Sequence, residues 1–389
     1  MNFDEVNNRI GTYCTQWDFI EDRFHEKGLL PFSISDTDFK VPPQIISCLE
    51  KLVQHEIFGY TRWNHNDFKN SITSYFKRKF DTKLESDWIV YSPSVMYSVS
   101  VLLRLLSNDK DIIGTFSPMY DAFFSVIEDN NRILKEFHLV KENNHFVIDE
   151  ERLENEIKEC KIFLLCSPHN PTGRVWTTKE LAKIIKLCKK YNVKIISDEI
   201  HMDMVFQNHE HSPILKYYET YKDLYLVSSS SKTFNTPGLI GSYACIPDAN
   251  VREKFLHQTR KKDFLNSASI FGLHALMVGY QECDDYVEEM KTYIYKNMSF
   301  VKEYIDQNLP GFTFEIPDGT YLAWIDVSKL GFSDEDIQQA LVNVGKVAIM
   351  SGKVYGKQSY LRLNCGCPRS KLEEGMRRIK IAMDFLHNS

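Results

Sequence analysis

Four short, almost unbroken apolar runs set the frame for this chain: DIIGTF (111–116), KIFLLC (161–166), VKIIS (193–197) and DLYLVS (223–228). Without alternation between polar and apolar residues they read as strands buried on both faces, the condition of a parallel sheet covered by helices. The stretches between them carry helical periodicity. The clearest is TTKELAKIIKLCKKYN (177–192), where Thr177 and Glu180 form a capping-box signature and Leu181, Ile184, Ile185 and Cys188 form an apolar stripe. Strand–helix alternation predicts an α/β layer with a mostly parallel sheet. Such sheets bind ligands beyond the carboxyl ends of their strands. The polar residues of interest fall there: after 116, after 166, at 198 and at 229–232.

The last third changes character. A long amphipathic stretch, KTYIYKNMSFVKEYI (291–305), is followed by GTYLAWID (319–326), VAIMSG (347–352) and YLRLNC (360–365), which predicts a smaller α+β unit. The expected division is an N-terminal segment, 1–45, contributing to the small domain, a large domain over 46–280 and the small domain over 281–389. A chain of 389 residues needs no staples to build its core. A net charge of −6 offers no broad basic face, which argues against nucleic acid or an anionic membrane as partner. The nine cysteines are irregularly spaced, and the lone Cys365-x-Cys367 pair lacks companions for a zinc site, so packing is the expected role and no metal is expected. No signal-peptide core or membrane-length apolar run is visible, and a cytoplasmic location with reduced thiols is the expectation.

Lys232 lies in SSSSKTFNTPGL (228–239), just past the fourth apolar run. It is either a strand-end lysine snorkelling to water or a lysine able to form a Schiff base, with neighbouring hydroxyls from Ser229 and Ser231 to hold a phosphate. Pyridoxal 5'-phosphate (PLP) requires both features. Asp198, in ISDEIHMD (196–203), ends a buried run. It caps the next turn or pairs with a protonated pyridine nitrogen. His201 faces either solvent or the cofactor's phenolic oxygen. Asn170, in SPHNPTGR (167–174), sits in a strong turn signal and offers an amide to the same oxygen. Tyr120, in TFSPMYDAFF (115–124), is a core tyrosine or a ring that stacks on the pyridine. Backbone N–H groups near Val95 and Met96, where YSPSVMYS enters a helix, suit a phosphate. Arg362, inside an otherwise apolar strand, is either a buried ion-pair partner or a bidentate clamp for an α-carboxylate.

Together these segments resemble the fold-type I PLP enzymes of the aminotransferase class I/II superfamily, and most nearly the cystathionine β-lyase-like (PatB/MalY-type) C–S lyases. The resemblance rests on motifs in order along nearly the whole chain: NFDEVNNRIGTYCTQWD near the start, SDTDFKVPP (35–43), FGYTRW (58–63), SPMYDAFF, SPHNPTGRVW, SDEIHMD, SKTFNTPGLIGSY, GTYLAWID and RLNCGCPR. Each alone is weak, but their joint order is specific. It implies a PLP transferase-like fold with a seven-stranded, mostly parallel sheet between helices.

The same resemblance implies roles. Lys232 would carry PLP as a Schiff base and then move protons, and Asp198 would pair with the pyridine nitrogen. Asn170 and His201 would face the phenolic oxygen, with Asn170 also near the substrate, and Tyr120 would stack on the ring. Ser229, Ser231, Val95 and Met96 would hold the phosphate. Tyr60 would reach the phosphate of a neighbouring subunit, implying a homodimer with shared sites, and Arg362 would bind the substrate carboxylate. The implied reaction is β-elimination on cystathionine or a related S-substituted L-cysteine to thiol, pyruvate and ammonia. An aminotransferase and a regulatory PLP-binding protein are the alternatives. Three positions depart from common patterns: Ile240 where many aminotransferases carry a phosphate-binding arginine, Ser35-Asp36-Thr37-Asp38-Phe39 where lyases often read A-D-M-D-F, and Ser94 where many have glycine. Ile240 favours the lyase branch.

Overall fold

The computed structural model describes residues 1–388. Its centre is a seven-stranded sheet of β1 (Ile89–Ser92), β2 (Ile112–Ser117), β3 (Ile133–His138), β4 (Ile162–Cys166), β5 (Lys194–Asp198), β6 (Leu224–Ser228) and β7 (Ser242–Cys245). The spatial order is β1-β7-β6-β5-β4-β2-β3, and β7 alone runs antiparallel to its neighbours. Each of the four apolar runs became one of these strands. In β4 and β6 every residue is buried, as unbroken apolarity requires of a sheet covered on both faces. Strand β3 carried no such signal because it lies at an edge, with a neighbour on one side only and half-exposed side chains.

The predicted helix after 177 spans Thr178–Tyr191. Thr177 caps it, and Glu180 returns the bond to the Thr177 N–H, so both halves of the capping box form. Its stripe of Leu181, Ile184, Ile185, Leu187 and Cys188 is buried against the sheet layer.

The last third of the chain contributes a second, smaller sheet. A 25-residue helix, Asp284–Asn308, leads to a three-stranded antiparallel sheet of β8 (Leu322–Asp326), β9 (Met350–Ser351) and β10 (Tyr360–Asn364), in the order β8-β10-β9. The N-terminal segment joins this part through a short parallel pairing of Leu30–Pro31 with Val347–Ala348. Cys365 and Cys367 fall just past the end of β10 rather than on it. Both are buried, and their carbonyls accept hydrogen bonds from the Asn297 side chain. Among the described residues no helix is long and apolar enough to cross a membrane.

Candidate active site

Because β1, β2, β4, β5 and β6 point the same way, their carboxyl ends open on one edge of the sheet. A cavity of about 310 Å³ lies there. Tyr120 follows β2, Asn170 follows β4, Asp198 ends β5 with His201 just beyond, and Ser229, Ser231 and Lys232 follow β6. Val95 and Met96 begin the helix Val95–Leu106 after β1, and Arg362 arrives from the small sheet, at the middle of β10. All ten of these residues line the cavity.

The backbone explains the placement. The loop after β4 turns sharply, with Ser167–Pro168 and Asn170–Pro171 both cis and the Gly173 N–H bonded to the His169 carbonyl at 2.7 Å. Gly173 has a φ of +68°, and a Cβ there would lie 2.4 Å from Pro317 Cβ and 2.7 Å from the Gly319 carbonyl. Only glycine satisfies both demands. Gly173→Ala is expected to cost about 2 kcal/mol or more, measured as a lowered Tm together with weaker retention of cofactor, because Asn170 moves with the loop.

The electrostatics are those of a buried, charged pocket. Lys232 is deep in the site and donates to the Ser35 carbonyl. Burial lowers its pKa to about 8, with Asp36 and Asp198 opposing and Arg362 reinforcing that shift. Asp198 is pushed up to about 7, chiefly by burial, against the stabilising N–H of Ile200 at 3.1 Å. Burial, helped by the charges of Lys232 and Arg362, holds the His201 imidazole down to about 3, so the ring is neutral. Its Nδ1 is buried without a hydrogen-bond partner. Burial also raises the Tyr120 phenol to about 12, which keeps it protonated.

Arg362 is buried, and among the described residues no carboxylate lies within ion-pair distance of it. Its guanidinium donates to Asn170 Oδ1 at 3.1 Å and to the Ser33 carbonyl at 2.9 Å, and it lies 4.4 Å from the centre of the Tyr355 ring. The structural ion pair considered from the sequence is therefore not formed. Acceptance by Asn170 Oδ1 turns its amide NH₂ into the group left to donate.

One expectation changes in detail. Ser229 Oγ donates to the Gly241 carbonyl at 2.6 Å and accepts the Ser231 N–H, so its hydroxyl is committed to the backbone. The Val95 and Met96 N–H groups, at the open end of a 12-residue helix, are the better anion donors on this wall. Tyr60, expected at a neighbouring subunit's site, lies outside this chain's own cavity and is fully exposed beside Phe58 and Ser267.

Sequence reasoning missed several contributors. The carbonyls of Ser33 and Ser35 hold Arg362 and Lys232, and backbone acceptors carry no residue-type signal. Asn364 and Asn235 fix that segment through bonds to the carbonyls of Ile34, Asp36, Thr37 and Phe39. Tyr355, Asp121 and Arg23 also line the cavity, from a short 3₁₀ turn, a helix start and a remote N-terminal helix.

The donor set fits PLP. A buried carboxylate with little to neutralise it suits a cationic ring nitrogen, and a buried amine suits an aldehyde. Unpartnered His201 Nδ1 and the Asn170 amide suit a phenolic oxygen, and the first-turn N–H groups of the helix, which have no intrahelical acceptor, suit a phosphate.

Comparison with known proteins agrees. The sequence model of the family described as Aminotransferase class I and II matches residues 27–379. Protein MalY of Escherichia coli K12 is 40% identical over 379 residues, covering 96% of this chain and 97% of its own length. Cystathionine beta-lyase PatB of Bacillus subtilis 168 is 32% identical over 388 residues, covering 98% and 100%. Cystalysin of Treponema denticola, whose crystal structure contains PLP, superposes with a TM-score of 0.93 at 28% identity over 99% of each chain. A family match across most of the chain, on a pocket whose charges suit the cofactor, leads to one conclusion: the chain belongs to the PLP-dependent aminotransferase class I and II family.

Proposed function

We propose that this PLP-dependent carbon–sulfur lyase cleaves the Cβ–S bond of cystathionine or related S-substituted L-cysteines, releasing a thiol, pyruvate and ammonia. The observation that carries the reading is Arg362, a buried guanidinium with no carboxylate of its own, facing the same cavity as the amine of Lys232. A buried cation without a counter-ion is costly, and a substrate α-carboxylate offsets that cost. Bound PLP supplies an electron sink for the substrate Cα.

The chain's own groups do the rest. Arg362 and the Asn170 amide orient the carboxylate. Lys232, whose amine is largely neutral above about pH 8, takes the Cα proton. The thiolate leaves Cβ with the electron pair of the C–S bond and takes up the proton that Lys232 carried from Cα. Asp198 holds the ring nitrogen's proton, His201 stays neutral at the phenolic oxygen, and Val95, Met96 and Ser231, with Ser229 behind them, hold the phosphate. Lyase over transfer is supported by Ile240, which lines the cavity where many aminotransferases carry arginine, and by PatB, named a cystathionine beta-lyase.

We further propose a homodimer in which Tyr60 completes the neighbouring subunit's site. Its support is an exposed apolar patch: Ile57, Phe58, Tyr60 and Phe264 crowd two loops that Thr61 and Ser267 join by a 2.9 Å hydrogen bond. Free thiols at all nine cysteines support a cytoplasmic location. The pairing of Leu30–Pro31 with Val347–Ala348 supports assigning 1–45 and 281–389 to one small domain and 46–280 to the cofactor-binding one.

The test is product analysis. Incubation with L-cystathionine is expected to yield thiol and pyruvate in equal amounts without any added keto acid. Amino transfer to 2-oxoglutarate with no thiol released would assign the site to an aminotransferase.

A further inference from the structure

The cavity holds two opposite charges that the reaction described above does not use. Arg23 reaches its rim from the helix Ile20–Phe24, and Asp121 lines it from the start of the helix Ala122–Glu128. Asp121 forms no capping bond to its own helix. Among the described residues neither side chain has an ion-pair partner, and they do not pair with each other. The one polar contact of the Arg23 guanidinium is Met350 Sδ at 3.4 Å, a weak acceptor.

Their position relative to Arg362 is defined by the fold. Met350 is the direct cross-strand partner of Arg362, so Arg23 stands over the strand next to the one that bears the proposed carboxylate clamp. Tyr355 lines the same cavity. Its ring packs under Arg362, and burial raises its phenol, with Arg362, Asp121 and Arg23, in that order, the charges acting on it. Arg362 is buried and Arg23 exposed, and both line the one cavity together with Tyr355 and Asp121.

We propose that Arg23 and Asp121 form a distal subsite for a second amino-acid group, Arg23 taking its carboxylate and Asp121 its ammonium. This rests on the C–S lyase reading and narrows it: preferred substrates carry a zwitterion on the far side of sulfur, as L-cystathionine does, and simple S-alkyl cysteines are poorer. Both contacts are at the rim and partly hydrated, so the preference falls in KM rather than kcat. Each charge-assisted contact contributes about a tenfold preference.

Four ligands separate the parts on the intact holoenzyme. L-Cystathionine has both distal charges, S-(2-carboxyethyl)-L-cysteine only the carboxylate, S-(2-aminoethyl)-L-cysteine only the ammonium and S-propyl-L-cysteine neither. Two readouts are taken, thiol release and ligand affinity from the change in cofactor absorbance. Arg23→Gln is expected to reduce the preference for cystathionine and the carboxyethyl compound over S-propyl-L-cysteine about tenfold. Asp121→Asn is expected to do the same for cystathionine and the aminoethyl compound. Arg23→Lys, which keeps the charge, should restore most of the carboxylate preference. A wild-type enzyme that binds all four equally, or variants that shift all four together, would overturn the subsite. Affinity differences without thiol from any ligand would keep the subsite and overturn the lyase reading instead.

Discussion

Lys232→Ala will reduce thiol release by at least about a thousandfold, equivalent to about 4 kcal/mol of transition-state stabilisation. The reason is local. Lys232 is the one lysine buried at the carboxyl edge of the sheet, held by the Ser35 carbonyl and flanked by Asp198 and Arg362. Among the described residues no other lysine lines the cavity. The same residue sets a pH dependence that can be read without turnover. Its folded pKa, about 8, lies below the ordinary lysine value. The neutral amine therefore grows about tenfold per pH unit up to roughly pH 8 and levels off above it. The rate at which apoenzyme takes up PLP, followed by absorbance, is expected to show that rise and plateau in the wild type and to lose it in Lys232→Ala. Lyase activity of even a few per cent in the variant would remove Lys232 from the mechanism.

Arg362→Met should lower kcat/KM about 100- to 1000-fold for every amino-acid substrate, mostly through KM, while cofactor absorbance stays. The estimate is that of deleting one member of a buried, hydrogen-bonded charge pair, roughly 3–4 kcal/mol. Stability distinguishes this role from a structural one. Without substrate, Arg362 is a buried cation supported only by Asn170, the Ser33 carbonyl and the Tyr355 ring. Replacing it by an apolar side chain of similar length removes that desolvation cost. The Tm of the variant is expected to be unchanged or higher. A large fall in Tm would mean that Arg362 holds the two parts of the fold together, and the carboxylate assignment would fail.

The proposed distal subsite divides substrate recognition from chemistry. In that proposal Arg362 would read what all α-amino acids share, whereas Arg23 and Asp121 would read what differs beyond sulfur. Arg23 comes from a five-residue helix near the N-terminus, and Asp121 from the loop after β2. Changes in those segments would then alter preference without touching Lys232 or Asp198.

Much of this architecture was legible in the chain. Apolar runs that must be buried on both faces could only be inner strands of a covered sheet, and strand–helix alternation made the sheet parallel. A parallel sheet collects its carboxyl ends on one edge, so Tyr120, Asn170, Asp198 and Lys232, each just past a run, were bound to converge. Local chemistry settled the Thr177–Glu180 cap as well, because both partners lie within one helical turn. What sequence could not reveal depended on contacts between distant segments. Strand β7 runs antiparallel between β1 and β6, and edge strand β3 has too little burial to show an apolar run. The commitment of Ser229 to Gly241, the grip of the Ser33 and Ser35 carbonyls, and the placing of Arg23 and Asp121 on one cavity are products of packing. Side-chain type and spacing encode which face of an element is buried. Which backbone acceptor a buried cation finds, and which charge is left without a partner, is decided only when remote segments share the same space.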